Sequence, residues 1–171
     1  MKIVYVAGGS YKSFYLNCFL KLSKLNLLIF NYDILYDYNY SKELLGNNIV
    51  TKELMMLSKT LNCVVVAGIY VIRGSEKTKS LILCNGDKLE ISKAQTGIEY
   101  NYNNVKYIIG DEKTNYKNSC RIVISNKRIY PVKEHCSFNK NYLFCDKHGV
   151  TIIQNQNLTR KFNKYSKIIL K

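Results

Sequence analysis

The sequence predicts an α/β sandwich with mixed sheets, and three observations carry that prediction. Residues 2–30 read as strand, helix and strand, a β-α-β unit whose right-handed crossover makes the two strands parallel. Residues 63–72 are a β-branched run of the kind found in a central strand buried on both faces. The second half is strand-rich, whereas a doubly wound sheet needs a helix after nearly every strand.

The opening strand, residues 2–7, alternates apolar and polar side chains and ends in the turn Gly8-Gly9-Ser10. Phe14, Tyr15, Cys18, Phe19 and Leu22 then share one helical stripe, and residues 26–30 form a short buried strand. After a tyrosine-rich loop over residues 31–49, Thr51 caps a helix to about residue 61. Glu53 lies near its positive end, and Leu54, Leu57 and Leu61 form its buried face. The run at 63–72 is followed by a strand at 79–84, the turn Asn85-Gly86-Asp87 and a hairpin partner at 88–92. Further strands are expected at 105–109, 121–125, 141–145 and 150–153, with a last one near 165–170. No internal repeat or low-complexity linker interrupts them, so residues 1–171 are expected to form one domain.

No apolar run approaches the roughly eighteen residues of a membrane span, and the N-terminus reads as a strand without a signal-peptide core. The expectation is a cytoplasmic protein without membrane contact, its six cysteines reduced. The net charge is +14 and unevenly spread. Residues 1–112 carry thirteen Lys/Arg against ten Asp/Glu, while residues 113–171 carry thirteen against two. Clustered cations attract polyanions, so this basic third points to an acidic or protein partner. Nucleic acid is the less favoured partner, because no helix-turn-helix, zinc-finger or RNP-type motif accompanies the charge. Richness in Lys, Asn, Ile and Tyr without Trp also matches plain compositional bias.

Three local patterns offer chemistry. The glycines at 8 and 9 lie between strand and helix, where backbone N–H groups hold anions, but no Lys at Walker spacing follows and a tight turn explains them. His135, Cys136, Cys145 and His148 are weak zinc candidates: paired Cys-x-x-Cys knuckles are absent, and adjacent residues in a strand point apart. No metal and no cofactor is therefore expected. Tyr32, Tyr36, Tyr38 and Tyr40 crowd one loop, as ligand-lining or simply half-buried side chains.

The segment from Arg121 to Pro131 runs an apolar strand into a polar turn closed by the only proline, with Ser125, Lys127 and Pro131 at the spacing Cys-x-Asp-x-x-x-Pro. This resembles the nucleophile strand of the carbon-nitrogen hydrolase (nitrilase/amidase) superfamily, with serine for cysteine and lysine for aspartate. The opening strand, residues 27–30, the helix and strand over 54–68, the hairpin at Asn85-Gly86 and Lys93 follow in the family's order. The resemblance implies an α-β-β-α sandwich whose second helical layer is reduced, because little chain separates the nucleophile segment from what resembles the terminal hairpin, residues 149–154 and 164–170. It also implies a homodimer, although family dimers use helices from the shortened region.

In that family a cysteine attacks a nitrile or amide carbon, a glutamate is general base and a lysine stabilises the tetrahedral intermediate. The glutamate closes a Phe-Pro-Glu motif, but here Phe30 is followed by Asn31 and Tyr32. Asp33 is a rescue position one residue along, where strand alternation reverses the side chain. Lys93 matches the lysine and Ser125 the nucleophile, with Cys120 and the Cys145-Asp146 pair as alternative nucleophiles. The degenerate triad positions are thus Tyr32, Lys93 and Ser125, and no catalytic residue is expected. The reading that follows is a non-catalytic binding or interaction protein; the alternatives are an atypical amidase and a nucleic-acid-binding module.

Overall fold

Two six-stranded sheets face each other across the main core, each with three central parallel strands and antiparallel strands at its margins. The computed structural model describes residues 1–7, 24–35, 49–73, 75–116, 119–127, 141–154, 157–161 and 165–170. The turn at 8–10, the helix expected from residue 11, Tyr36, Tyr38, Tyr40, Pro131, His135 and Cys136 lie outside the described residues.

The first sheet contains β1 (Lys2–Val6), β2 (Leu27–Phe30), β3 (Val64–Arg73), β4 (Glu76–Asn85), β5 (Lys88–Lys93) and β12 (Tyr165–Ile169), in the order β12-β1-β2-β3-β4-β5. Its first three strands are parallel, as a β-α-β opening requires, and β3 is central as its β-branched run predicts. The second sheet holds β6 (Ile98–Tyr102), β7 (Val105–Gly110), β8 (Cys120–Ile124), β9 (Tyr142–Asp146), β10 (Gly149–Gln154) and β11 (Asn157–Lys161) in sequential order. Strand alternation sends Ile3, Tyr5, Leu27, Ile29, Val64 and Val66 inward to meet Ile109, Ile122, Ile124, Leu143 and Cys145.

Residues of opposite parity on the first sheet, among them Val4, Leu28, Phe30, Val65 and Ile82, pack under α1 (Ile49–Leu61) through Val50, Leu54 and Leu57. The helix begins two residues before Thr51, which is buried in its first turn and is not its cap. It ends where Asn62 takes φ 47°, the left-handed conformation that stops helices. Ser58 ties this end to the β4–β5 turn by donating to the Cys63 carbonyl at 2.6 Å and accepting from Gly86 N–H at 2.9 Å. On the outer face of the second sheet, Ile108 and Val123 pack with Tyr116 and Phe144 in a far smaller cluster. Among the described residues α1 is the single α-helix. No helix among them is long and apolar enough to cross a membrane.

Two strands beyond the expected set are present, β6 and β11. The expected terminal hairpin is replaced by a different pairing. β10 pairs with β11, while β12 crosses to the first sheet and runs antiparallel to β1.

Candidate functional site

Parallel strands deliver their C-terminal ends to one end of the sandwich, where the residues after β2, β7 and β8 meet. Asn31, immediately after β2, is fully buried. Its side-chain amide donates to the Ser125 carbonyl at 3.3 Å, and its Oδ1 accepts from Tyr32 N–H at 2.7 Å. The residue before the expected base position is therefore a neutral bracket between the sheets.

Tyr32 opens a 3₁₀ turn, Tyr32–Leu35, and is also buried. Its ring lies on Gly68 of β3, where an added Cβ would sit 2.7 Å from the ring, so this strand position needs glycine. Tyr70 packs at 5.6 Å between ring centroids, and Lys79 Nζ lies 5.3 Å from the Tyr32 centroid. The Tyr32 hydroxyl is buried with no hydrogen-bond partner among the described residues. Such a group costs about 1–3 kcal/mol. Burial, and then the nearby charges of Asp111 and Glu112, push its ionisation far above the ordinary phenol range. Asp33 follows in the 3₁₀ turn, its side chain outside the described set.

Ser125, just after β8, is 1% exposed. Its backbone N–H donates to Cys145 O at 2.9 Å, and its Oγ accepts from Lys127 N–H at 3.1 Å. The hydroxyl lies near the carboxylate of Glu112, which stands after β7, and favours its ionised form. Parallel pairing of β7 with β8 brings these two strand ends together. Lys79 reaches Glu112 at 3.5 Å. Partial burial opposes ionisation of Glu112, but its own backbone N–H, Lys79 and the Ser125 hydroxyl outweigh that and hold the carboxyl below its usual range. Asp111 is buried and occupied, accepting from Lys113 N–H at 2.8 Å. Thr114 Oγ1 accepts from Asp111 N–H at 2.9 Å and donates to Ala94 O at 2.7 Å, which fixes the end of β7 beside the end of β5.

Lys93, the last residue of β5, is exposed and lines a cleft of about 490 Å³ above these strand ends. Lys77, Lys79, Lys113 and Lys127 share the cleft with Asp111 and Glu112. The structure thus gathers Tyr32, Ser125 and Lys93 around the Lys79–Glu112 pair. Glu112 and Lys79 are the residues that sequence reasoning missed.

The remaining candidates separate. Cys145 lies in the core between the sheets, and burial, then the charge of Asp146, push its thiol well above the ordinary range. Asp146 is itself buried in an ion pair with Arg160 at 2.8 Å. Cys145-Asp146 is therefore interior strand and ion pair, and supplies no thiolate turn. Cys120 is likewise buried in the inter-sheet core. His148 sits exposed in the β9–β10 turn, its N–H donating to Asp146 Oδ1. No three His, Cys, Asp or Glu side chains among the described residues are grouped to hold a metal.

Neither a protein-family model nor a curated protein matches the chain. Solved structures do. A CN-hydrolase superfamily protein from Xanthomonas campestris, whose active site carries an arsenic adduct, superposes with a TM-score of 0.66 at 7% identity, over 98% of this chain and 89% of that one. The fold is that of the nitrilase superfamily. Nit3 of Saccharomyces cerevisiae, from branch 10 of that superfamily, matches with the same TM-score and coverage at 9% identity. The glutamine-dependent NAD(+) synthetase of Cytophaga hutchinsonii matches at 0.58 and 11% identity, over 98% of this chain but 42% of its own. Within the nitrilase fold the two mixed sheets and their facing core are present, and among the described residues one α-helix covers them.

Proposed function

We propose that this chain is a non-catalytic nitrilase-fold protein that binds a small ligand in the cleft over its parallel strand ends. The observation that carries this reading is the neutral pair after β2: Tyr32, at the base position, is a buried phenol, and the amide of Asn31 before it is fully buried and spent on two structural hydrogen bonds. Neither it nor the buried phenol of Tyr32 accepts a proton at neutral pH. The serine at the nucleophile position is buried, with its hydroxyl accepting from Lys127 N–H. Ammonia release from a panel of amides and nitriles tests the reading, with Lys93→Ala as control. The expected result is no release above that control.

The nearness of Glu112 to the Ser125 hydroxyl favours a second reading, an atypical amidase with Ser125 as nucleophile and Glu112 as base. A base must accept a proton near the working pH, and Glu112 is held the other way by Lys79 and Ser125. Ammonia release lost in both Ser125→Ala and Glu112→Gln would favour this reading over ours. The interaction half of the proposal assigns the basic residues 113–171 to an acidic partner. Affinity falling steeply with salt on nucleic acid would move that assignment to the nucleic-acid alternative.

A further inference from the structure

We infer that the outer face of the second sheet carries an anchor for a carboxylate of a partner protein, built from Arg121 held between the rings of Tyr116 and Tyr142. The inference rests on the acidic-partner half of the function proposed above and places that contact on one side chain.

Strand alternation sets the position. Cys120, Ile122 and Ile124 point into the inter-sheet core, so Arg121 points to the opposite face, beside Ile108 of β7. Its Cζ lies 5.5 Å from the Tyr116 ring centroid and 5.2 Å from that of Tyr142. Both tyrosines are buried, and the Tyr116 hydroxyl is fixed by donating to Asp111 O at 2.7 Å. Rings so placed attract the cation without consuming any of its N–H donors. The guanidinium is therefore positioned but not satisfied.

Charge pairing across the same face is the second observation. Alternation puts Glu99, Lys106, Arg121, Asp146 and Arg160 on it. Glu99 pairs with Lys106, and Asp146 with Arg160 at 2.8 Å. Arg121 has no ion pair, and its side chain makes no hydrogen bond, among the described residues. Its Nε is closed to solvent and unpartnered, while the residue as a whole stays partly exposed, which leaves Nη1 and Nη2 as the open donors. Withdrawing an arginine from water without a carboxylate opposite it costs free energy that a partner's carboxylate would offset.

The chemistry of the partner follows from what the face lacks. A second copy of the chain is disfavoured as the source, because each copy carries a net charge of +14 and like charges repel. A nucleic-acid backbone needs a row of free cations to follow successive phosphates, whereas the other two cations on this face are already paired. A single planar fork matches a single carboxylate, two N–H groups to two oxygens. The occupant is an acidic segment of another protein, with one Asp or Glu seated on Arg121.

Fluorescence anisotropy of labelled, N-acetylated hexaglutamate with the full chain, at low and moderate salt, tests this, with labelled oligothymidylate as the competing polyanion. Saturable hexaglutamate binding that weakens as salt rises is expected. Arg121→Gln should weaken it about tenfold, and Arg121→Lys, which keeps the charge but loses the fork, about fivefold. Lys88→Gln removes an exposed cation from the edge of the other sheet and should change it by less than about twofold. NMR of the arginine ¹⁵Nε–Hε groups reads the unmutated protein independently. The chain has only four arginines, and the Arg121 resonance, assigned by its loss in Arg121→Lys, should move on adding the peptide. Equal affinity in Arg121→Lys and the parent, or an Arg121 resonance that stays still, overturns the anchor and leaves the acidic-partner reading standing. No saturable hexaglutamate binding at low salt overturns both. Binding that depends on Arg121 for oligothymidylate but not for hexaglutamate overturns the carboxylate assignment and moves the partner to nucleic acid.

Discussion

The end of β2 and the end of β7 meet at the same mouth from opposite sheets, yet they deliver opposite chemistry. After β2 come Asn31 and Tyr32, neutral, buried and packed into the frame. After β7 come Asp111 and Glu112, two carboxylates. The site is therefore not short of carboxylates. Neither of these two is free to work as a base: Asp111 is used up by a turn, and Glu112 is stabilised in its ionised form. Having a carboxylate near a hydroxyl differs from having a base, and the hydrogen bonds around the carboxylate decide which it is.

Removing the bracket on the β2 side should have the largest effect on this contrast. Asn31→Ala leaves the Tyr32 N–H and the Ser125 carbonyl unpaired in the interior, at about 1–3 kcal/mol for each buried group. Urea unfolding should show that loss, and a change within experimental error would mean the amide is not a tie. Gly68→Ala comes next. Its Cβ must displace the Tyr32 ring, and overpacking of this kind costs about 1–3 kcal/mol. The same change combined with Tyr32→Ala should cost less than the two separate losses added together, because both act on one contact.

On the β7 side the effects are smaller and depend on pH. The folded Glu112 carboxyl lies below its ordinary value of 4.5, so its contribution to stability is complete above that value and lost as pH falls through the lowered one. Glu112→Gln should flatten the stability profile below pH 4.5 and leave neutral stability changed by about 1 kcal/mol or less, as expected for a half-exposed ion pair. Ser125→Ala should cost a similar amount, about 1 kcal/mol or less, for the loss of one hydroxyl's hydrogen bonding. A profile unchanged by Glu112→Gln would dissolve the contrast between the two strand ends.

Much of the frame was legible because local pattern and long-range pairing agree. The parallel opening unit, the central β3 and the Gly86 turn, with φ 61°, follow from residues close together in the chain. β6 was missed although Asn103 and Asn104, both at positive φ, make a two-residue hairpin turn between Tyr102 and Val105. That asparagine pair was the available signal. β11 carries exposed polar residues along most of its length and offers no apolar alternation to read. The destination of β12 is set by pairing with the far end of the chain, which no local pattern encodes.

At the site, Tyr32, Lys93 and Ser125 were identified from the family order; Lys93 lines the cleft, while Tyr32 and Ser125 are buried beside residues that do. Glu112 and Lys79 were not identified, because neither falls on a motif position. They join the site through the parallel β7–β8 pairing and through the placement of β4 beside β5, which are facts of register. Cys145-Asp146 imitated a nucleophile turn for the converse reason. Its sequence suits a strand end, but its register places the thiol in the core.

The central claim is that the strand ends form a site without a working base. The measurement that tests it most directly is ammonia release from a broad panel of amides and nitriles, by the unmutated protein and by Lys93→Ala. The account predicts that the two are indistinguishable across the panel. Release by the unmutated protein that disappears in Lys93→Ala would contradict it.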